Sequence, residues 1–148
     1  MDITIRKANF DDLPAVHDLV RDLAIYENAE PEFTATLEDY QNDFNEGVFE
    51  ALVAQKDGKT VGMMLYYMTY STWKGKMLYL EDFVVKEAYR RFGIGQMLLD
   101  AFLKVAREMG CRLTKWQVLD WNEPAIKFYE KNNTIFDKEW WNCKIFLD

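Results

Sequence analysis

A chain of 148 residues, 49% hydrophobic, 16% aromatic and 29% charged with only 7 Gly and 3 Pro, is long enough for one domain with a full core. That composition excludes a disordered, collagenous or low-complexity protein. Its 18 Lys and Arg against 25 Asp and Glu leave a net charge of -7, which suits solubility or cationic partners and disfavours nucleic acid, whose binding needs clustered cations.

No apolar run approaches the roughly 20 residues that span a bilayer, and the N-terminal MDITIRKANFDD has no apolar signal core. A soluble, cytoplasmic protein that binds no membrane is the expectation. Cys111 and Cys143 cannot build a disulfide framework and lack metal-ligand spacing, so no metal site is expected and both thiols are read as free and mostly buried.

The first strand reads Ile3 to Arg6, alternating apolar and polar. Asn9, Asp11 and Asp12 offer caps and Pro14 suits a first helical turn. Leu13, Val16, Leu19, Val20, Leu23 and Ala24 then recur at helical spacing, ending near Tyr26-Glu27. A shorter helix is predicted from Leu37 to Phe44, capped by Thr34 or Thr36. Strands follow over 49–54 and 61–70, joined by Asp57-Gly58, a hairpin signal. Trp73-Lys74-Gly75 turns the chain into the strongest strand, Met77 to Val85.

Arg90-Arg91-Phe92-Gly93-Ile94-Gly95 comes next, and a helix starts at once: Ile94, Met97, Leu98, Ala101, Phe102, Val105 and Met109 form one stripe, closed by Gly110 as a C-cap glycine. Residues 111–118 read as a strand, Asn122 caps a short helix with Pro124 in its first turn, and the aromatic, β-branched residues 135–147 read as a closing strand or hairpin. The order β-α-α-β-β-β-α-β-α-β predicts one mixed α/β (α+β) domain over 1–148, with helices on both faces of the sheet. The unit across 77–118 predicts a parallel crossover.

The glycines between Val85 and the following helix carry the chemistry. N–H groups at a helix N-terminus lack internal partners and point outward. Gly93 and Gly95 allow an anion to approach the backbone, and Arg90 and Arg91 add guanidinium forks suited to phosphate, which together make a pyrophosphate cradle. A P-loop needs Gly-Lys-Ser/Thr, whereas Gln96 follows Gly95; a dinucleotide fingerprint needs a third glycine near Leu98. The blander alternative is a tight turn with solvated arginines.

With this loop, the sequence resembles the GNAT superfamily of acetyl-CoA-dependent N-acetyltransferases over nearly the whole chain. Asn122, Ala125 and Phe128-Tyr129-Glu130-Lys131 resemble that family's second signature. Tyr79-Leu80-Glu81-Asp82-Phe83, Arg91-Phe92-Gly93-Ile94-Gly95 and Trp121-Asn122-Glu123-Pro124 are similar to the diamine (spermidine/spermine) N-acetyltransferases. The resemblance implies a mostly antiparallel sheet with one splayed parallel strand pair, and acetyl-CoA entering the wedge, in keeping with ligand sites at the carboxyl ends of strands.

By the same resemblance, Phe83, Val84 and Val85 would bind the pantetheine arm. Arg90, Arg91, Phe92, Gly93, Ile94, Gly95 and Gln96 would hold the pyrophosphate, and Asn122, Glu123, Pro124 and Ala125 would contact the coenzyme from the other side. A substrate ammonium must lose a proton before it attacks the thioester. Glu81 matches the family's candidate base and Tyr129 its proton donor to the leaving thiolate, with a backbone N–H near Val84 on the oxyanion. Asp82, by strand alternation, is expected on the opposite face from Glu81.

A pocket for a small amine needs carboxylates and aromatic faces. Tyr26, Glu27, Trp73, Glu81, Asp82 and Trp116 or Trp121 are the candidates. Ser71 stands where the diamine enzymes often carry an acid, which bears on long polyamines. Asn133 replaces their usual glycine, a mild change because Asn tolerates left-handed backbone. His17, the only histidine, reads as surface or packing.

The function expected is N-acetyl transfer to a diamine, polyamine or lysine-like amino acid, in a homodimer such as the family commonly forms. The alternatives are acetylation of a protein lysine or N-terminus, and a non-catalytic acetyl-CoA-binding module.

Overall fold

The computed structural model describes residues 2–147, which fall into two compact units, one running to Gln117 and one starting at Val118. In the first unit, five strands form a single sheet in the order β1-β2-β3-β4-β5. They are Thr4–Lys7 (β1), Glu50–Lys56 (β2), Lys59–Ser71 (β3), Gly75–Val85 (β4) and Leu113–Lys115 (β5). The first four pair antiparallel and β4 pairs parallel with β5. Leu13–Tyr26 (α1), Leu37–Asn45 (α2) and Ile94–Glu108 (α3) are its helices.

Alternation along the strands sorts the core onto two faces. On one face, Val53, Met63, Leu65 and Val84 pack with Leu13, Val16, Leu19 and Val20 of α1, and Leu37, Tyr40 and Phe44 of α2 pack against that cluster. On the other, Gly62 and Tyr66 of β3 meet α3: the Tyr66 ring stands edge-on to Phe102 at 5.5 Å. A Cβ on Gly62 would lie 3.1 Å from the Val84 carbonyl oxygen and 3.3 Å from Leu98 Cδ1. Helices therefore cover both faces, as the pattern predicts.

Local chemistry accounts for the element ends. Asp57 and Gly58 both take positive φ, 52° and 76°, the primed turn that matches strand twist. The Thr36 side chain accepts from Asp39 N–H and Asp39 reaches back to Thr36 N–H, a capping box at the start of α2. Gly110, at φ 77°, ends α3: its N–H donates to Arg107 and that of Cys111 to Ala106, the paired bonds of a Schellman cap. Asn9 caps not α1 itself but a 3-10 turn over Phe10–Asp12 that leads into it. Short 3-10 turns, here and over Glu30–Glu32 and Glu87–Tyr89, have too few residues to show a period.

Two expected strands differ. The strand expected over 111–118 shortens to three residues, because the αL turn at Gly110 delays its start and its ladder ends at the Tyr79–Lys115 rung. In the second unit, residues 135–147 form no strand: strand propensity yields a strand only where a neighbour supplies the ladder, and here none is paired. This unit contains Glu123–Lys131 (α4), capped by Asn122, whose side chain accepts from Ala125 N–H. Asn133 adopts φ 58°, the left-handed conformation expected of it. Among the described residues, no helix is long and apolar enough to cross a membrane.

Arg6 grips Asp12 with two nitrogens, at 2.7 and 2.9 Å, and Asn9 N–H donates to the same carboxylate at 2.8 Å. The Arg6 hydrogen bond, then the Asn9 backbone, holds the Asp12 carboxyl below its ordinary value of 3.8 against the cost of burial. A depressed carboxyl stabilises the fold above its unfolded value and loses that contribution as pH falls through the folded value. Arg6→Leu should therefore lower the urea midpoint at pH 7, with the gap to the parent closing below about pH 4. Gly62→Val should cost about 1–3 kcal/mol by overpacking, read from the same denaturation curves.

Candidate active site

The site is built on an irregularity in β4. Leu65 pairs with Asp82 and Tyr66 with Leu80, so Glu81 is an extra residue, a β-bulge. Before the bulge, Tyr79 lies across from Tyr67, their rings stacked at 5.5 Å. After it, Asp82 and Val84 share the face of Leu65 and Met63. The Tyr67 hydroxyl donates to Glu81 Oε1 at 2.7 Å, which places the Glu81 side chain on that same face. This corrects the expectation that Asp82 points away from Glu81: alternation fails at the bulge, and both carboxylates face α1 and α2.

Their electrostatics follow from this crowding. Burial first, then the charges of Glu81 and Glu27, push the Asp82 carboxyl up to about 7. Glu27, at the C-terminal end of α1, is itself raised by burial. The hydroxyls of Tyr40, Tyr67 and Tyr79 are all raised, chiefly by burial and then by the neighbouring acids, so they remain protonated donors at neutral pH. Glu27, Tyr40, Tyr67, Tyr79, Glu81 and Asp82 thus form one acidic, aromatic cluster drawn from α1, α2, β3 and β4. Such a lining attracts a cation and lays aromatic rings along its methylene chain. Tyr40, Tyr67 and Tyr79 escaped the sequence reading of the site. The only signal for Tyr67 and Tyr79 was their common face once β3 and β4 are paired, and nothing marked Tyr40.

Other expected substrate residues lie differently. The Tyr26 ring sits beneath the Arg90 guanidinium, 5.7 Å from its carbon, and so faces the loop after β4. Trp73 is 84% exposed in the β3–β4 turn. It lies beyond the Ser71–Gly75 rung, which is itself four rungs past the Tyr67–Tyr79 pair and so on the order of 13 Å from it. The bend that reverses the chain carries it away from the carboxylates. Trp116 follows directly on the last β4–β5 rung.

That rung also defines the wedge. The parallel ladder joins only Met77–Tyr79 to Leu113–Lys115, whereas β4 runs on to Val85. Phe83, Val84 and Val85 lie on the stretch that β5 no longer pairs. Beyond Val85, Arg91 takes the left-handed φ of 69° and Gly93, the N-cap of α3, takes 80°. A Cβ at Gly93 would meet nothing within 4 Å, so the main chain is approachable there, and Gly93 brings no side chain to cap the first-turn amides. Arg91, Phe92 and Gly93 are exposed, Ile94 is buried and Gly95 and Gln96 are intermediate. The donor set fits a diphosphate: outward amides at the start of a 15-residue helix with the exposed Arg91 beside them. Arg90, also expected to hold the pyrophosphate, has a further contact. Its Nε donates to the Val85 carbonyl at 3.0 Å, a bond that anchors the loop to the end of β4.

In the second unit, Asn122 to Ala125 form the capped start of α4, and Tyr129 is buried on that helix, edge-on to Phe128 at 5.7 Å. His17, expected at the surface or in packing, is a packing residue: it is buried between Phe33 and Tyr40 rings at 4.8 Å, and its Nε2 donates to the Ala35 carbonyl.

Residues 13–133 match the family model described as "Acetyltransferase (GNAT) family". The chain is 35% identical to the thialysine N-epsilon-acetyltransferase of Bos taurus, over 95% of this chain and 90% of that one. It is also 35% identical to the human spermidine/spermine N(1)-acetyltransferase-like protein 1, over 88% of this chain and 20% of that longer protein. A possible acetyltransferase from Clostridium difficile 630 superposes with a TM-score of 0.83 at 23% identity, covering 97% of this chain and 98% of that one, a likeness of fold. With the bulged acidic strand, the parted parallel pair and the glycine loop in place, the chain belongs to the GNAT acetyltransferase family and is an N-acetyltransferase.

Proposed function

We propose that the protein moves an acetyl group from acetyl-CoA to the primary amine of a small cation: a diamine, a polyamine or a lysine-like amino acid. The observation that carries this reading is the pair of carboxylates, Glu81 and Asp82, turned to one face of β4 beside Glu27 and three tyrosines. The names of the relatives, one acting on thialysine and one similar to a spermidine/spermine enzyme, support the substrate class. Thialysine and ornithine-like acceptors join a side-chain ammonium to an amino-acid head, and diamines carry a second ammonium instead.

In this reading, Arg91 and the backbone from Gly93 to Gln96 bind the diphosphate, Arg90 steadies the loop, and Phe83 to Val85 hold the pantetheine arm. The family resemblance assigns Asn122 to Ala125 to coenzyme binding as well. The substrate ammonium docks against the acidic cluster and gives up one proton to the Glu81–Asp82 pair. The freed lone pair attacks the thioester carbonyl. A C–N bond forms and the C–S bond breaks; the thiolate takes a proton from Tyr129, the donor that the family resemblance assigns, and the second proton shed by the acetylated nitrogen replaces it. A main-chain N–H near Val84 stabilises the developing oxyanion. Cys111 is half-buried and Cys143 exposed, against the expectation of burial; as free thiols they suit a reducing, cytoplasmic compartment. The exposed Trp140, Trp141, Phe146 and Leu147 suit burial in a homodimer.

A thiol-release assay with diaminopropane, spermidine, ornithine, thialysine and a lysine peptide tests the reading. Turnover with a small amine is expected. Peptide turnover exceeding every small amine would reassign the acceptor to protein, and acetyl-CoA binding without any turnover would reduce the chain to a binding module. Glu81→Gln should lower kcat about tenfold and Tyr129→Phe about 10–1000-fold while calorimetric affinity for CoA is kept. Arg91→Ala should do the reverse, weakening CoA about tenfold or more through one lost charge-assisted contact.

A further inference from the structure

Glu81 and Asp82 are chemically alike and adjacent, yet their surroundings differ. Glu81 is exposed and stands on the bulge, where the backbone offers no ladder position to hold it. One contact orients its side chain: the Tyr67 hydroxyl at 2.7 Å. Tyr67 is itself held, half-buried against the α1–α2 core and stacked on Tyr79. Asp82 is less exposed and occupies a regular rung opposite Leu65. The titratable groups facing Asp82 are Glu27 from α1, Tyr40 from α2, Tyr67 from β3, and Tyr79 and Glu81 from β4.

A solvent-exposed glutamate without a tether samples several rotamers and moves its charge into water, where it is screened. Tethered beside Asp82, the same charge opposes ionisation of its neighbour. Resting on the acetyl-transfer reading above, we propose that Tyr67 is a positioning residue: its phenol fixes the Glu81 carboxylate as a lasting anion next to Asp82, and thereby makes Asp82 the member of the pair that accepts the substrate proton.

The proton balance is simple. The ammonium N–H bond breaks, an O–H bond forms on Asp82, and Glu81 remains an anion throughout, accepting the Tyr67 hydrogen bond and facing the cation. A base near neutrality removes a proton from an alkylammonium more readily than an ordinary carboxylate does, by about tenfold per unit of basicity when transfer is pre-equilibrated.

The test reads the resting full-length protein first. Carboxyl carbon NMR with labelled aspartate, assigned through Asp82→Asn, should place Asp82 titration near neutral pH. In Tyr67→Phe, which keeps the ring and its stack, that midpoint should fall by about one pH unit as Glu81 swings into water. Glu81→Gln should lower it likewise. Glu81→Asp, which keeps the charge but shortens its reach to the phenol, should also lower it. The acid limb of kcat/KM with the best amine should move to lower pH in step with each midpoint, the maximum falling about tenfold, while acetyl-CoA affinity stays within twofold of the parent.

An Asp82 midpoint unchanged in Tyr67→Phe or in Glu81→Asp would overturn the proposal, as would an acid limb that survives in Asp82→Asn. Absence of turnover with every amine would instead sink the acetyl-transfer reading, and the NMR titrations would still report on the tether.

Discussion

One extra residue in β4 decides which side chains meet at the candidate site. A regular strand sends neighbouring side chains to opposite faces, so Glu81 and Asp82 would be separated by the sheet. The bulge opposite Leu65 and Tyr66 removes that separation. It spends one residue without a ladder rung and gathers two negative charges against the same helices. Such a concentration of like charge in a half-buried place is unfavourable for folding. The protein accommodates it in two ways: Tyr67 donates a hydrogen bond to Glu81, and the Asp82 carboxyl rises to about 7, where it is partly neutral. In the proposed reaction a cationic amine would relieve the remaining repulsion, so charge would favour amines before any finer fit applies.

The same strand leads into the loop proposed to bind the coenzyme. Its first half is clamped between β3 and β5, and its second half is paired only with β3. β5 ends after three residues, so the sheet itself provides the opening, and the chain leaving Val85 turns at once into the loop before α3. Arg90 ties that loop back to the Val85 carbonyl and lies over Tyr26 at the end of α1. Tyr26 is followed in sequence by Glu27, whose charge reaches Asp82. The anion-binding loop and the acidic cluster therefore share the end of α1 as a common support. The proposed sites for a polyanion and for a cation would thus be apart in charge while close in the fold.

The core beneath is less specialised. Two apolar layers, one on α1 and α2 and one on α3, hold the sheet from both sides, and Gly62 lets α3 approach the backbone. His17 is buried between aromatic rings and uses its Nε2 on a carbonyl, a role that ties α1 to the segment before α2.

Much of this was legible in the residues themselves. Helical spacing from Leu13 to Ala24 and from Ile94 to Val105 located α1 and α3, Asp57-Gly58 marked the hairpin, and Gly93 and Gly110 marked the two ends of α3, because each of these depends on local backbone preference. The glycine loop after a strong strand suggested an anion cradle, and the family resemblance suggested Glu81 as the base; both stand as proposals. What the sequence left undecided depends on pairing. The aromatic residues 135–147 have strand propensity, yet a strand exists only with a neighbour. The common face of Glu81 and Asp82 follows from a register shift that only the β3 partner imposes. Tyr40, Tyr67 and Tyr79 become a site only when α2, β3 and β4 are brought together. Local preference thus settled where elements begin and end, whereas cross-strand register and helix packing decided which side chains share one electrostatic field.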